Sequence, residues 1–353
     1  MPLPPAFAPV SHRPPDHSAP LAPAPVSATP TSPSSDAINP TDLRHAQGLA
    51  NALVDSIGRV VTGATSAARL AVITLIADGH LLVEDVPGVG KTTLAKALAR
   101  TIGCSIGRIQ FTPDLLPSDL TGVSLFRAER GEFEFRPGPV FNNVVIGDEI
   151  NRASPKTQSA LLECMEEGQV TVDGTTHRLP RPFMVVATQN PIEMDGTYPL
   201  PEAQRDRFMV RVDVGYPDLA AEHQMLDRFE STSPLDGLRP VASAHDVGVM
   251  QTLTRRIFAA APVKNYVLAL VAATRNDPRV RLGASPRASL QLLAAAKARA
   301  LLDGRDYCIP DDVQALYAPV VAHRLILNTE ARLQGVTAGD VVGQILATTP
   351  VPR

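Results

Sequence analysis

The chain has 353 residues, 44% of them hydrophobic, and a net charge of −3. That length and apolar content can fill two domains, and the near balance of charge gives no broad electrostatic attraction for nucleic acid. Cys104, Cys164 and Cys308 form neither a disulfide framework nor a zinc spacing, no apolar run reaches transmembrane length, and the first residues lack a secretory pattern, so a reducing, cytoplasmic setting is expected.

Twelve of the 33 prolines fall within the first forty residues, with little charge and one aromatic. Such a segment cannot bury enough apolar surface to offset its ordering entropy, so residues 1–41 are expected to be a disordered Pro/Ala/Ser-rich tail. From residue 42 the composition is globular, and "RVVTGATSAARLAVITLIADGH" reads as a helix packed on the domain that begins with the first strand. Strand-like and helical runs then alternate: "LLVEDV" leads to a helix through Leu98, "NVVIGDE" leads to "SPKTQSALLECMEEG", and "FMVVATQNP" comes next. This alternation predicts a parallel sheet flanked by helices. In the second of these helices Ser154 fits the N-cap, Pro155 the first turn and Gly168 the stop. Beyond residue 218 the pattern turns helical. "SPRASLQLLAAAKARALLDG" places Leu290, Leu293, Ala294, Ala298 and Leu301 on one stripe, and "PDDVQALYAPVVAHRL" forms another helix with Asp311 or Asp312 near its cap. The expected organisation is an α/β nucleotide-binding domain over 42–217 and a smaller all-helical lid domain over 218–353.

Three strand ends carry the chemistry. The first is the loop Asp85, Val86, Pro87, Gly88, Val89, Gly90, Lys91, Thr92 and Thr93. A strict phosphate-binding loop has glycine six residues before the lysine, where this chain has Asp85. The working parts are nonetheless present: a strand, a glycine-containing turn and a helix N-terminus whose N–H groups favour anionic oxygens. Lys91 would reach the terminal phosphates and the Thr92 hydroxyl a Mg²⁺ ion. The second is "NNVVIGDEIN", where Asp148 would hold Mg²⁺ through its water and Glu149 would orient and deprotonate an attacking water. The third is "VVATQNP", in which Asn190 either holds that water or the γ-phosphate, or is simply a turn residue before proline. Arg205 and Arg207 in "PEAQRDRF", and Arg287 just inside a helix with Ser285 at its cap, are candidate phosphate-directed guanidiniums.

The ordered blocks "GHLLVEDVPGVGKTTLAKALA", "RIQFTPDLLPSDLTG", "GPVFNNVVIGDEINRASPKTQSALLECMEEGQVTVDG", "ATQNPIEMDGTYPLPEAQRDRF" and "GASPRAS" resemble the MoxR family of AAA+ ATPases over roughly Arg59 to Leu327. In that family the position of Asp85 is often not glycine. The resemblance implies ATP and Mg²⁺ as cofactors and a homo-oligomeric ring, usually of six subunits, with ATP between neighbours. It implies that Lys91 and Thr92 are Walker A, Asp148 and Glu149 Walker B, Asn190 sensor 1 and Arg287 sensor 2. Arg207 would be the arginine finger acting on the neighbour's ATP, although the family usually has a hydrophobic residue where this chain has Arg205, so either arginine could reach across. Two inserted hairpins are also implied, one with alternating Phe133 and Phe135 and one turning at Asp173-Gly174, of the kind that face a pore or client. The implied activity is ATP-driven remodelling of a protein client, often one with a von Willebrand A domain. A DNA motor is disfavoured because the hairpins lack a dense basic and aromatic series, though Arg127, Arg130 and Arg136 keep it open. A nucleotide-switched scaffold with little turnover is the other alternative.

Overall fold

The computed structural model describes residues 38–86, 88–129, 131–190, 198–229 and 234–352, without the side chains of 224 and 227–229. Residues 1–37 of the expected disordered tail, Pro87 and Arg130 lie outside the described residues, whereas 38–41 are described, with Ile38 buried and Pro40 and Thr41 opening a helix capped by Asn39.

Two helices open the fold, α1 (Pro40–Gly58) and α2 (Thr65–Ile76). The single helix expected from Arg59 onward is therefore a loop followed by α2. The α/β part then runs β1 (Leu81–Glu84), α3 (Lys91–Thr101), β2 (Ile106–Gln110), α4 (Pro117–Thr121), β3 (Gly122–Arg127), β4 (Glu132–Pro137), β5 (Val144–Asp148), α5 (Pro155–Glu167), β6 (Gln169–Val172), β7 (Thr175–Arg178), β8 (Met184–Gln189), α6 (Glu202–Arg205) and β9 (Val210–Val212). The remainder is α7 (Leu219–Phe229), α8 (Ala244–Arg256), α9 (Ala261–Asn276), β10 (Val280–Leu282), α10 (Pro286–Leu302), α11 (Pro310–Val321), β11 (Ile326–Leu327), α12 (Thr329–Leu333) and α13 (Ala338–Thr348).

Five parallel strands form the central sheet in the order β2-β5-β8-β1-β9. Every residue of β5 is buried, as is β8 up to Thr188, which is why both are apolar, β-branched runs. The register pairs Gln110 with Asp148, Val145 with Val185 and Glu84 with Gln189. The carboxyl ends of β1, β2, β5 and β8 thus meet at one edge, the place where parallel α/β sheets bind ligands.

The local signals for α5 appear as expected: Ser154 Oγ accepts from Thr157 N at 3.3 Å, and Gly168 ends the helix at φ 61°. Both hairpins form, β3 with β4 and β6 with β7, the latter turning at Asp173 and Gly174. They meet where the Phe135 ring stacks on His177 with centroids 4.0 Å apart. Phe126, Phe133, Leu125 and Val123 stay exposed on the first hairpin.

The C-terminal part is helical except for the short antiparallel pair β10–β11, which the sequence pattern missed. The stripe expected on α10 is shifted. Leu290 is exposed, Leu293 and Ala294 are half-buried, and the interior face carries Ala288, Leu292, Ala295 and Ala296, along with the expected Ala298 and Leu301. Because α10 packs against α1, α2 and α8 as well as α9 and α11, apolar residues surround it and no single stripe marks its buried side. Asp312 is the capping acid of α11, accepting from Ile309 N at 2.9 Å.

Candidate functional site

The loop from β1 to α3 has the geometry of a phosphate cradle. Gly88 and Gly90 adopt φ of 89° and 91°, a region costly for any residue with a Cβ, and Gly90 caps α3 so that Lys91 begins the helix. Lys91 Nζ donates to the main-chain carbonyls of Asp85 and, at 3.1 Å, Gln189, which spans the ends of β1 and β8. Partial burial lowers the Lys91 pKa, while Asp85, Glu149, Asp148 and Glu84 oppose that shift. Thr92 Oγ1 donates to Asp148 Oδ1 at 2.9 Å, and Thr93 lies beside them on the wall of a cavity of about 410 Å³.

Asp148, Glu149 and Asn190 line this cavity with Lys91 and Thr92, as expected from their places at neighbouring strand ends. Asp148 is buried, its Oδ2 accepting from Arg108 Nε at 2.8 Å. Glu149 sits at φ 58°, unusual for a side-chain-bearing residue, with its N–H donating to Thr188 Oγ1 at 3.0 Å. Its carboxylate accepts from Arg152 Nη1 at 2.9 Å and Gln110 Nε2 at 3.3 Å. The main-chain oxygen of Asn190 accepts from Asn151 at 3.4 Å. Sequence reading missed Arg108, Gln110 and Thr188. The alternating exposure of "IGRIQ" in β2, which turns Arg108 and Gln110 outward while Gly107 and Ile109 are buried, is the one signal that could have found the first two.

A second cavity of about 580 Å³ adjoins the cradle through Gly88, Gly90 and Thr93. Val60, Val61, Val214, Tyr216 and Met225 line it, and Val89 closes its cradle side. This apolar slot has the character of a base-binding pocket. Its walls come from the α1–α2 loop and the segment after β9, far apart in the chain, so no local motif announces it. Asp85 joins the two parts: Oδ1 accepts from Val86 N at 2.7 Å and Oδ2 from Gly215 N at 2.6 Å. The residue that breaks the strict glycine pattern ties the phosphate loop to the wall of the slot.

The oxygen-rich end of the cradle fits a hydrated Mg²⁺. Thr92 and Asp148 offer a hydroxyl and a carboxylate, and among the described residues no group of three or more His, Cys, Asp or Glu clusters, at the cradle or away from it. Mg²⁺ typically needs only one or two protein ligands beside phosphate and water.

The arginines lie apart from this cavity. Arg207 Nη2 is 2.8 Å from Glu166 Oε2, and Arg287 Nη2 pairs with Glu166 Oε1. Arg287 was expected to aim across the cleft at phosphate, and neither it nor Arg207 lines the cavity containing Lys91. The physical reason is the docking of α10. Ser285 stands at the N-cap of that helix as expected, but its hydroxyl makes no capping hydrogen bond and instead donates to Asp206 Oδ2 at 2.8 Å. Arg324, whose pKa burial lowers to about 10 against the pull of Asp206, holds Asp206 Oδ1 at 2.9 Å and the Phe208 carbonyl at 2.6 Å. Arg205 is half-buried, with a buried Nε that has no hydrogen-bond partner.

A parallel β2-β5-β8-β1-β9 sheet, a glycine-turned cradle at its carboxyl edge and an appended helical bundle define an AAA+ P-loop fold. The family model for "ATPase family associated with various cellular activities (AAA)" matches residues 80–210, and that for "AAA lid domain" matches 272–345. A crystal structure of a candidate ATPase from Cytophaga hutchinsonii is 37% identical, with a TM-score of 0.82 over 89% of this chain and 98% of its own. Chaperone MoxR1 of Mycobacterium tuberculosis is 42% identical over 84% of this chain and 81% of its own length. Protein MoxR of Paracoccus denitrificans is 34% identical over 84% and 94%, and the Bacillus subtilis protein YeaC is 51% identical over 85% and 93%. The chain belongs to the MoxR family of AAA+ ATPases.

Proposed function

We propose that this protein binds ATP with Mg²⁺ in the cradle, hydrolyses it in a homo-oligomeric ring, and uses the cycle to remodel or mature a protein client. The observation that carries this reading is the 2.9 Å bond from Thr92 to Asp148 inside a cavity that also holds Lys91, Glu149 and Asn190. Lys91 would meet the terminal phosphates, and Thr92 and Asp148 would hold Mg²⁺, which when bound neutralises charge on the phosphate oxygens. Glu149 orients water and takes its proton, with Asn190 beside it and Arg152 and Gln110 setting the carboxylate's direction. The apolar slot at Val61, Val214 and Tyr216 would take the adenine.

Arg207 would complete the site of a neighbouring copy, since it lies outside its own chain's cavity, with Arg287 on the same side. A ring of six and a client with a von Willebrand A domain are the particular forms proposed. The two hairpins, with exposed Phe126 and Phe133, are proposed as client-facing elements. The division at 217/218 marks the lid that would move against the α/β domain during turnover. A cytoplasmic setting is proposed in keeping with the free thiols of Cys104, Cys164 and Cys308. No helix among the described residues is long and apolar enough to cross a membrane.

Nucleotide titration and phosphate release with Lys91→Ala and Glu149→Gln test the reading. Lys91→Ala is expected to lose ATP binding, whereas Glu149→Gln keeps it and loses turnover. Wild-type hydrolysis by Lys91→Ala would overturn the site, and an equal rate for Glu149→Gln and wild type would favour the scaffold.

A further inference from the structure

Arg207 follows α6 and Arg287 lies on the first turn of α10, yet both converge on one carboxylate. Each oxygen of Glu166 has its own guanidinium. Glu166 is the penultimate residue of α5, where the helix dipole disfavours a negative charge, so its two cations offset an unfavourable location. Partial burial pushes its carboxyl up, but Arg287 and then Arg207 outweigh that and hold it below the usual range.

The frame behind the pair is fixed. Asp206, one residue before Arg207, accepts from Ser285, two residues before Arg287, and from the buried Arg324. The two arginine-bearing segments are therefore joined at their bases by Asp206 and at their tips by Glu166. The tips remain reachable, with side-chain exposures of 28% for Arg207, 36% for Arg287 and 37% for Glu166. The contacts to Glu166 use only one terminal nitrogen of each guanidinium, and a guanidinium carries five N–H donors, so donors remain for a second anion. Two guanidiniums fixed side by side suit the oxygens of a phosphoryl group.

We propose that Glu166 is the positioning residue of a two-arginine phosphate clamp: it sets the spacing and aim of Arg207 and Arg287 toward the γ-phosphate held by an adjacent copy of the chain. This rests on the shared-site reading above. Glu166 acts through the arginines and touches no nucleotide, so its influence is exerted on the neighbour's turnover and not on nucleotide affinity in its own cradle.

Mixing two full-length variants separates the roles. Arg207→Ala retains its own cradle but supplies no finger, and Glu149→Gln supplies arginines but does not turn over. Each alone should hydrolyse little ATP, and an equimolar mixture should recover activity at interfaces that join an intact cradle to intact arginines. Glu166→Gln is then added to one partner at a time, with kcat and KM for ATP measured in the mixture and ATP-analogue binding measured on each chain. The expected result is a kcat loss of about tenfold or more when Glu166→Gln is carried by the arginine donor, with KM and analogue binding little changed, because sub-ångström to ångström misplacement of a transition-state group costs one to two orders of magnitude. An equal loss from either partner, or weakened analogue binding by the substituted chain, would make Glu166 a structural residue. A rise in rate from the donor-side change would make it a brake and overturn the positioning role. Failure of the original mixture to recover activity would overturn the shared site and the clamp together. Recovered activity that is indifferent to Glu166 would overturn the clamp alone.

Discussion

The cradle at Lys91 and the arginine pair at Glu166 are built on opposite plans. The cradle is assembled from strand ends: three of its parts each sit at the carboxyl end of a buried strand, and parallel registry brings them together. The arginine pair has no strand beneath it. It depends on side-chain contacts among α5, the segment after α6, α10 and the turn containing Arg324. Backbone registry makes the first site insensitive to the loss of any one peripheral side chain, whereas the second should loosen when one contact is removed. From the lid, Arg287 meets Glu166 and does not line the cavity containing Lys91, while Met225 lines the adjoining apolar slot.

The largest effect is expected within the cradle. Glu149→Gln should lower hydrolysis by about 10²- to 10⁴-fold, the usual range for a lost general base, while ATP binding persists. Steady-state phosphate release beside analogue titration checks both halves. Lys91→Ala should weaken ATP binding by about a hundredfold or more, at or beyond the top of the range of about 1.5–3 kcal/mol for a hydrogen bond to a charged group, which reads as lost binding in the titration.

An effect of comparable energy tests the strand-based region through pH. His80 Nδ1 accepts from Val185 N at 3.0 Å, and its other nitrogen meets the Met165 carbonyl at 3.2 Å, so the folded protein holds a neutral ring. Burial lowers its pKa to about 4 from an ordinary value of 6.5. The unfolded chain binds the proton more readily between these values, so stability is greatest above pH 6.5, falls as pH drops toward 4 and levels off below. The contribution is about 3 kcal/mol. Urea unfolding at pH 7 and pH 4.5 should show the loss, and His80→Gln should remove its share of it while leaving that of the buried His323, whose pKa burial lowers in the same direction. For the contact-built region, Asp206→Ala should destabilise by about 3 kcal/mol, because it strips the carboxylate from the buried Arg324, and should also depress trans activity. The smallest change expected is from Asp85→Ala. Losing the tie to Gly215 should weaken ATP binding only about five- to tenfold, near 1 kcal/mol for one hydrogen bond.

The same contrast governs what could be read in advance. The loop from Asp85 to Thr93, the Asp148-Glu149 pair and the helix between Ser154 and Gly168 carry their signals within a few residues, in turn, cap and strand chemistry. The hairpin at Asp173-Gly174 is local too. The apolar slot, the Asp85–Gly215 tie, the pairing of Glu166 with Arg207 and Arg287, and the Asp206–Arg324 pair each join distant segments, and nothing in the local pattern marks them. The α10 stripe was misplaced for a related reason: a helix covered on several sides has no single amphipathic face to read. Ser285 takes the N-cap place its spacing predicts, but its hydroxyl goes to a carboxylate from another segment, which no local pattern announces.

The measurement closest to the central claim is the rate of ATP hydrolysis per chain against protein concentration, with an equimolar mixture of Arg207→Ala and Glu149→Gln beside it. A shared site predicts that specific activity rises with concentration and that the mixture departs from the average of its two components. Constant specific activity, with the mixture at the simple average, would mean that each chain works alone and would contradict the account.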